Sequence, residues 1–259
     1  MDTERLPAKA VAFVVMAFLL VAGVHLWWQQ GEGSTGTEDP ELDETAVTES
    51  DAELILGRSG GEGTTAAERE ATMNEHLQRL RDSSSAEERR SAALRLQFLA
   101  DETAEPTLLE ALKSEDEVVA RRCAETLLAL WRQSTSAAAN RLMEKAISAY
   151  EDGDYDSAMD KLDMCQRLDS SVPELHRLRG EILLSHANVR QAMSACDRAI
   201  ELKPHNFMAH YLRARIHMRQ SNFEPALEAA RDVLDIYPNH SAAAELESEI
   251  LALQEATED

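Results

Sequence analysis

The C-terminal half of the chain repeats itself every 34 residues. Segments 139–172, 173–206 and 207–240 align without gaps. A fixed period of this size marks a solenoid, in which each unit buries its apolar face only against its neighbours. The aligned positions make physical sense. Ala146, Gly180 and Ala214 place small side chains where the first helix of a pair must approach the second. Ala158, Ala192 and Ala226 recur twelve residues later, inside the second helix. Tyr155, Val189 and Phe223 fill an apolar slot three residues before each of those alanines. Gly153-Asp154, Ala187-Asn188 and Ser221-Asn222 carry turn chemistry between the helices. Cys165, Ala199 and Val233 are small inward residues of the second helix, which Pro204 and Pro238 end because proline cannot extend it. Ser170 stands at that place in the first copy. A terminal capping helix is expected over 241–256, carried by Leu246, Ile250, Leu251 and Leu253.

These positions resemble the tetratricopeptide repeat. Two features depart from it: the bulky first-helix position is Leu142, His176 and His210, and the first copy lacks its closing proline. The resemblance implies an all-α, right-handed superhelical solenoid whose first helices line a concave groove for a protein or peptide. Carried onto this chain, the groove residues are Met143, Ile147 and Tyr150, then Arg177, Glu181 and Leu184, then Tyr211, Arg215, Met218 and Arg219. Such a surface is apolar at one end and basic at the other. The family's charged clamp for chaperone C-terminal tails falls on Met143, Ile147, Leu178, Met208 and Leu212, so that ligand is not expected. Arg215 and Arg219 lie one helical turn apart and suit an acidic ligand, against the plainer reading of ion pairs within the chain.

Upstream, 66–133 also reads as helical. Met73, Leu77 and Leu80 mark one helical face. Ser83-Ser84-Ser85 offers cap chemistry for a helix ending near Ala100. Pro106 suits the first turn of a short helix over Thr107 to Lys113, and another helix is expected from Glu117 to Arg132. Arg89-Arg90-Ser91-Ala92 returns as Arg121-Arg122-Cys123-Ala124, thirty-two residues later. The stretch is similar to short HEAT-type repeats of the phycobilisome lyase-like kind, in scaffold only. An unrelated helical bundle is the alternative.

Residues 10–28 carry no acidic or basic side chain apart from His25 and end on Trp27 and Trp28. Nineteen helical residues reach about 28 Å, close to the bilayer core. An uncleaved transmembrane anchor is preferred to a cleaved secretory signal or a buried helix. Arg5 and Lys9 lie in the short tail 1–9, and no Lys or Arg follows until Arg58. The positive-inside rule then keeps the N-terminus in the cytoplasm and places the rest outside the cytoplasmic (inner) membrane, extracytoplasmic or periplasmic. Residues 29–65 are acidic and rich in Gly, Ser and Thr, and read as a disordered tether, with Leu54-Ile55-Leu56 as one apolar knot.

The formal net charge of −22 disfavours nucleic acid, whose phosphates demand a basic face. The three cysteines, Cys123, Cys165 and Cys196, form no CxxC pair and read as core residues. No phosphate loop, nucleophile elbow or HExxH pair occurs, so no catalytic residue, cofactor or metal is expected. His176 and His210 occupy equivalent repeat positions, which favours packing over ligation. The function expected is a non-enzymatic, membrane-anchored interaction scaffold or assembly factor. The alternative is a self-associating structural homo-oligomer, with Tyr211 and Met218 buried between copies.

Overall fold

A computed structural model describes residues 65–258. The expected anchor over 10–28 and the tether up to residue 64 lie outside the described residues. Among those described, no helix is long and apolar enough to cross a membrane. The chain divides into two compact units, 1–72 and 73–259. Of the first, only 65–72 are described. There, Thr65 Oγ1 accepts from the Glu68 amide at 3.2 Å and the Glu68 carboxylate accepts from the Thr65 amide at 2.7 Å. This reciprocal capping box opens the first helix.

The described residues are helical throughout, without strands. The helices are α1 (Ala66–Asp82), α2 (Ala86–Leu99), α3 (Glu105–Ala111), α4 (Glu117–Trp131), α5 (Ala137–Glu151), α6 (Tyr155–Leu168), α7 (Pro173–Ser185), α8 (Val189–Leu202), α9 (Phe207–Arg219), α10 (Phe223–Ile236) and α11 (Ser241–Glu258). The buried face of α1 carries Met73, Leu77 and Leu80, as the periodicity predicts. Ser85 caps α2 by accepting from the Glu88 amide, and α2 ends at Leu99. Helix α3 starts two residues earlier than expected. Asp101 accepts from the Thr103 amide at 2.8 Å and opens a 3-10 turn over Glu102–Ala104, which runs straight into the helix.

Helices α5–α6, α7–α8 and α9–α10 are three hairpins. Their second helices begin at Tyr155, Val189 and Phe223, each 34 residues apart. Helices α7, α9 and α11 start at Pro173, Phe207 and Ser241, at the same interval. The small residues sit where the alignment puts them: Ala146, Ala214, Ala158, Ala192 and Ala226 are all buried. Gly180 shows why. A Cβ added there would lie 3.3 Å from the Ala192 carbonyl oxygen and 2.9 Å from Leu212 Cδ2. A side chain there would press on the α8 backbone and on Leu212 of α9, so glycine stands where the other copies hold alanine.

Each hairpin turn uses one left-handed residue: Gly153 at φ 76°, Ala187 at 57° and Ser221 at 59°. The following amides, of Asp154, Asn188 and Asn222, donate back to Ala149, Leu183 and His217 at 2.8, 2.8 and 3.0 Å. This is the six-residue closure of a helix C-terminus, which glycine suits best. The left-handed region costs an L-residue about 1 kcal/mol or more. Ala187→Gly should therefore raise the unfolding free energy by about 0.5–1 kcal/mol, read by urea titration. A loss of stability would show that the turn is not strained.

The upstream helices lie along the turns that join the hairpins. Trp131 Nε1, at the end of α4, donates to Glu105 Oε1, at the start of α3, at 3.0 Å, so the two helices run antiparallel. Ser134 Oγ donates to Asp169 at 2.5 Å, in the turn after the first hairpin. Lys203, after the second hairpin, pairs with Glu105, and Phe207 meets Trp131 with ring centroids 5.7 Å apart. Asn239, after the third, donates to the Ser114 carbonyl at 2.9 Å.

Candidate binding face

The candidate site is the shared face of the first helices, α5, α7, α9 and the terminal α11. Its centre is a ladder of alternating charges. Arg177 Nε lies 2.7 Å from Glu174 Oε2, and its Nη1 lies 4.0 Å from Glu181 Oε2. The other oxygen of Glu181 pairs with Arg215 across to α9. The Arg215 guanidinium sits 5.7 Å from the Tyr211 ring centroid, within cation–π range. Glu174 also accepts from Asn206 Nδ2 at 3.0 Å, while Asn206 Oδ1 accepts from the Ala209 amide and caps α9. Glu174 and Glu181 are only 4% and 8% exposed. Burial works against the charges on Arg177 and Arg215, yet the adjacent carboxylates more than offset it and leave both pKa values above the usual range. Arg132, just after α4, is different. Burial lowers its pKa, Glu174 is the largest opposing influence, and its Nε has no hydrogen-bond partner.

The expected groove residues divide into four groups. Met143 and Leu184 are 2% and 5% exposed inside apolar clusters, so they present nothing to a ligand. Each sits on the flank of its helix that meets the neighbouring helix. Arg177, Glu181 and Arg215 are drawn together, but into the ladder, so the plainer ion-pair reading holds for Arg215. Ile147 and Tyr150 are half-buried on the first hairpin, and Tyr211 and Met218 pack on the cluster that α11 closes with Leu246 and Ile250. Arg219 is exposed, and among the described residues no acidic side chain pairs with it.

Sequence reasoning missed the contribution of α11. Glu245 and Glu249 stand 34 residues after Tyr211 and Arg215 and are exposed. The phenol of Tyr211 has a raised pKa, first from burial and then from the field of Glu181, Glu245 and Glu249, with Arg215 opposing. The far end of the face therefore carries exposed carboxylates as well as Arg219. Extending the 34-residue step once more would have found these two carboxylates.

Other polar groups are structural. His176 and His210 bond the carbonyls of Ser170 and Pro204 at 2.8 and 2.9 Å, six residues back in both copies. The thiols of Cys123 and Cys196 are pushed up to about 12 by burial, which leaves them protonated and poorly nucleophilic. His240 occupies the cap position equivalent to Asn206, and its Nδ1 accepts from the Ala243 amide at 3.1 Å. Burial lowers its pKa from 6.5 to about 4. The unfolded chain takes up this proton near 6.5 and the folded chain only near 4. Stability is then complete above the higher value and falls with pH across the window, by about 3 kcal/mol in all. His240→Asn, which restores the cap used at position 206, should flatten that slope in urea titrations. His176 and His210, both lowered by burial, leave a residual slope. An unchanged pH profile would remove His240 from the account.

The second unit is an all-α helical-hairpin solenoid of tetratricopeptide-like construction. The chain belongs to the family described as the ETO1 C-terminal domain, whose profile matches residues 109–255, more than half of the 259. No curated protein matches it. Among solved structures it is similar to the first tetratricopeptide domain of Spaghetti (RPAP3) bound to an HSP90 peptide. That match has 24% identity and a TM-score of 0.45, covering 46% of this chain and 94% of that one. It is also similar to the Arabidopsis OM64 tetratricopeptide domain, at 19% identity and TM-score 0.43, covering 44% and 95%. The P58(IPK) tetratricopeptide domain matches at 20% identity and TM-score 0.41, covering 73% of this chain and 47% of that one.

Proposed function

We propose that this chain is a membrane-anchored, non-enzymatic scaffold or assembly factor that holds a protein or peptide on the first-helix face of three tetratricopeptide repeats. The repeats are 139–172, 173–206 and 207–240, with 66–133 as a HEAT-like region before them. The observation that carries this reading is one continuous face shared by successive first helices, on which Ile147, Tyr150 and Met218 stay half-buried and Arg219 exposed. The apolar run 10–28 supports an anchor, and its flanking charges support a C-terminal region outside the cytoplasmic membrane. Four of the five clamp positions, Met143, Leu178, Met208 and Leu212, are buried apolar side chains. A carboxylate tail finds no cation there, so chaperone C-termini are not the proposed ligand.

Proximity labelling in the native membrane tests the reading, comparing the natural chain with a Tyr150→Ala, Arg219→Glu variant. Loss of the main labelled partner, with unchanged circular dichroism, is expected. Equal recovery from both chains would discard the face, and labelling of cytoplasmic proteins alone would discard the orientation. The self-associating reading rests on Met164 and Leu168, one helical turn apart on α6 and 44% and 52% exposed. Tyr211 and Met218, by contrast, are already packed within the chain. A monomer by light scattering removes that reading.

A further inference from the structure

In a simple solenoid each unit touches only its neighbours, so the first and third hairpins feel each other only through the second. This chain departs from that plan. Four residues outside the repeats, Glu105, Ser114, Trp131 and Ser134, hold the turns after all three hairpins. Ser134 bonds Asp169 after the first, Glu105 and Trp131 take Lys203 and Phe207 after the second, and Ser114 accepts from Asn239 after the third. The geometry points to α3–α4 as a strap that couples the first hairpin directly to the third and sets the spacing of the stack.

The dimensions suit that role. The fifteen residues of α4 form a rod of about 22 Å, close to two steps of helix packing at about 8–10 Å each. The soft motion of a hairpin stack is a change in pitch or curvature, which moves the turns apart. Here that motion must stretch an ion pair and an aromatic contact made by the helix pair itself, and two hydrogen bonds made by Ser114 and Ser134 in the short loops that follow α3 and α4. The strap also carries Arg132 to the end of the charge ladder, where Glu174 is its largest favourable influence. A shift of the strap therefore reaches the first-helix face as well as the turns. The family profile begins at residue 109, inside α3, so α4 and the hairpins fall within one family match.

Hydrogen exchange by mass spectrometry on the full chain tests the coupling, without reference to any ligand. In Trp131→Ala, exchange should quicken by about tenfold or more in α4 and α9, and also in α5 and α11, at the two ends of the stack. Faster exchange confined to α4 and α9 would overturn the strap. Should Trp131→Ala fail to fold, Asn239→Ala removes only the clasp at the third turn. The expected result is then exchange about threefold faster at the start of α5, beside Ser134, while unchanged α5 amides would overturn the coupling.

Discussion

Replacing Arg177 with methionine is expected to cost about 3–5 kcal/mol of unfolding free energy, measured by urea denaturation of the full chain. The stem of the new side chain fills much of the old volume, so the loss is electrostatic. Glu174 and Glu181 would remain buried, and the partner that lies 2.7 Å from the first would be gone. Glu181 would keep only Arg215, while Glu174 would keep Asn206 and the more distant Arg132. Removing charge from both sides should be far milder. Arg177→Met combined with Glu174→Gln takes away the stranded carboxylate, and a buried pair replaced as a unit is often nearly neutral. Recovery of more than half of the loss is expected in the double variant. If the double variant is as unstable as the single one, the ladder is not what Arg177 contributes.

Phe207→Ala should have an effect of similar size, about 3–5 kcal/mol, for a different reason. Phe207 opens α9 and is the hub of an aromatic cluster. Its ring lies 5.7 Å from Trp131, 5.4 Å from Tyr237 and 6.0 Å from His240. All four residues are buried, and the cluster joins α4 to the turns after the second and third hairpins. Truncation would leave a cavity that several rigid rings cannot close. Near-ultraviolet circular dichroism should lose the signal of the ordered Trp131, while far-ultraviolet intensity stays close to normal. Phe207→Leu keeps most of the volume and should cost less than half as much. Equal losses for the two variants would mean that ring packing does not matter at this place.

The hairpins were legible because their determinants are local and repeated. Ala158, Ala192 and Ala226 each report a close crossing, and three copies at one interval exclude coincidence. The expected groove was less legible for a geometric reason. Position along a first helix says which stripe a residue occupies, but α7 and α9 are packed on several sides at once. Met143 and Leu184 fall just beyond the edge of the stripe that stays open. The charge ladder was partly visible, since Glu181 and Arg215 are separated by one repeat length and their signs are opposite. What sequence could not show is that Arg177 would turn toward Glu174 as well. The strap left no local trace. Lys203 and Glu105 are 98 residues apart, and Ser114 and Asn239 are 125 apart. Neither pair belongs to a period, and each side chain alone reads as ordinary surface. The start of α3 shows the smaller version of the same problem, where one aspartate moved the boundary.

The ladder also divides this molecule into parts that respond differently to ionic strength. Mobile ions screen exposed charges over a Debye length of about 8–10 Å near physiological conditions but reach buried pairs poorly. Glu174, Arg177 and Glu181 are shielded by the helices around them, whereas Arg219, Glu245 and Glu249 face solvent at the far end of the same face. Added salt therefore weakens whatever these exposed groups attract and leaves the architecture beneath them almost untouched. A partner held through them can be released by a change of medium that the scaffold itself does not feel.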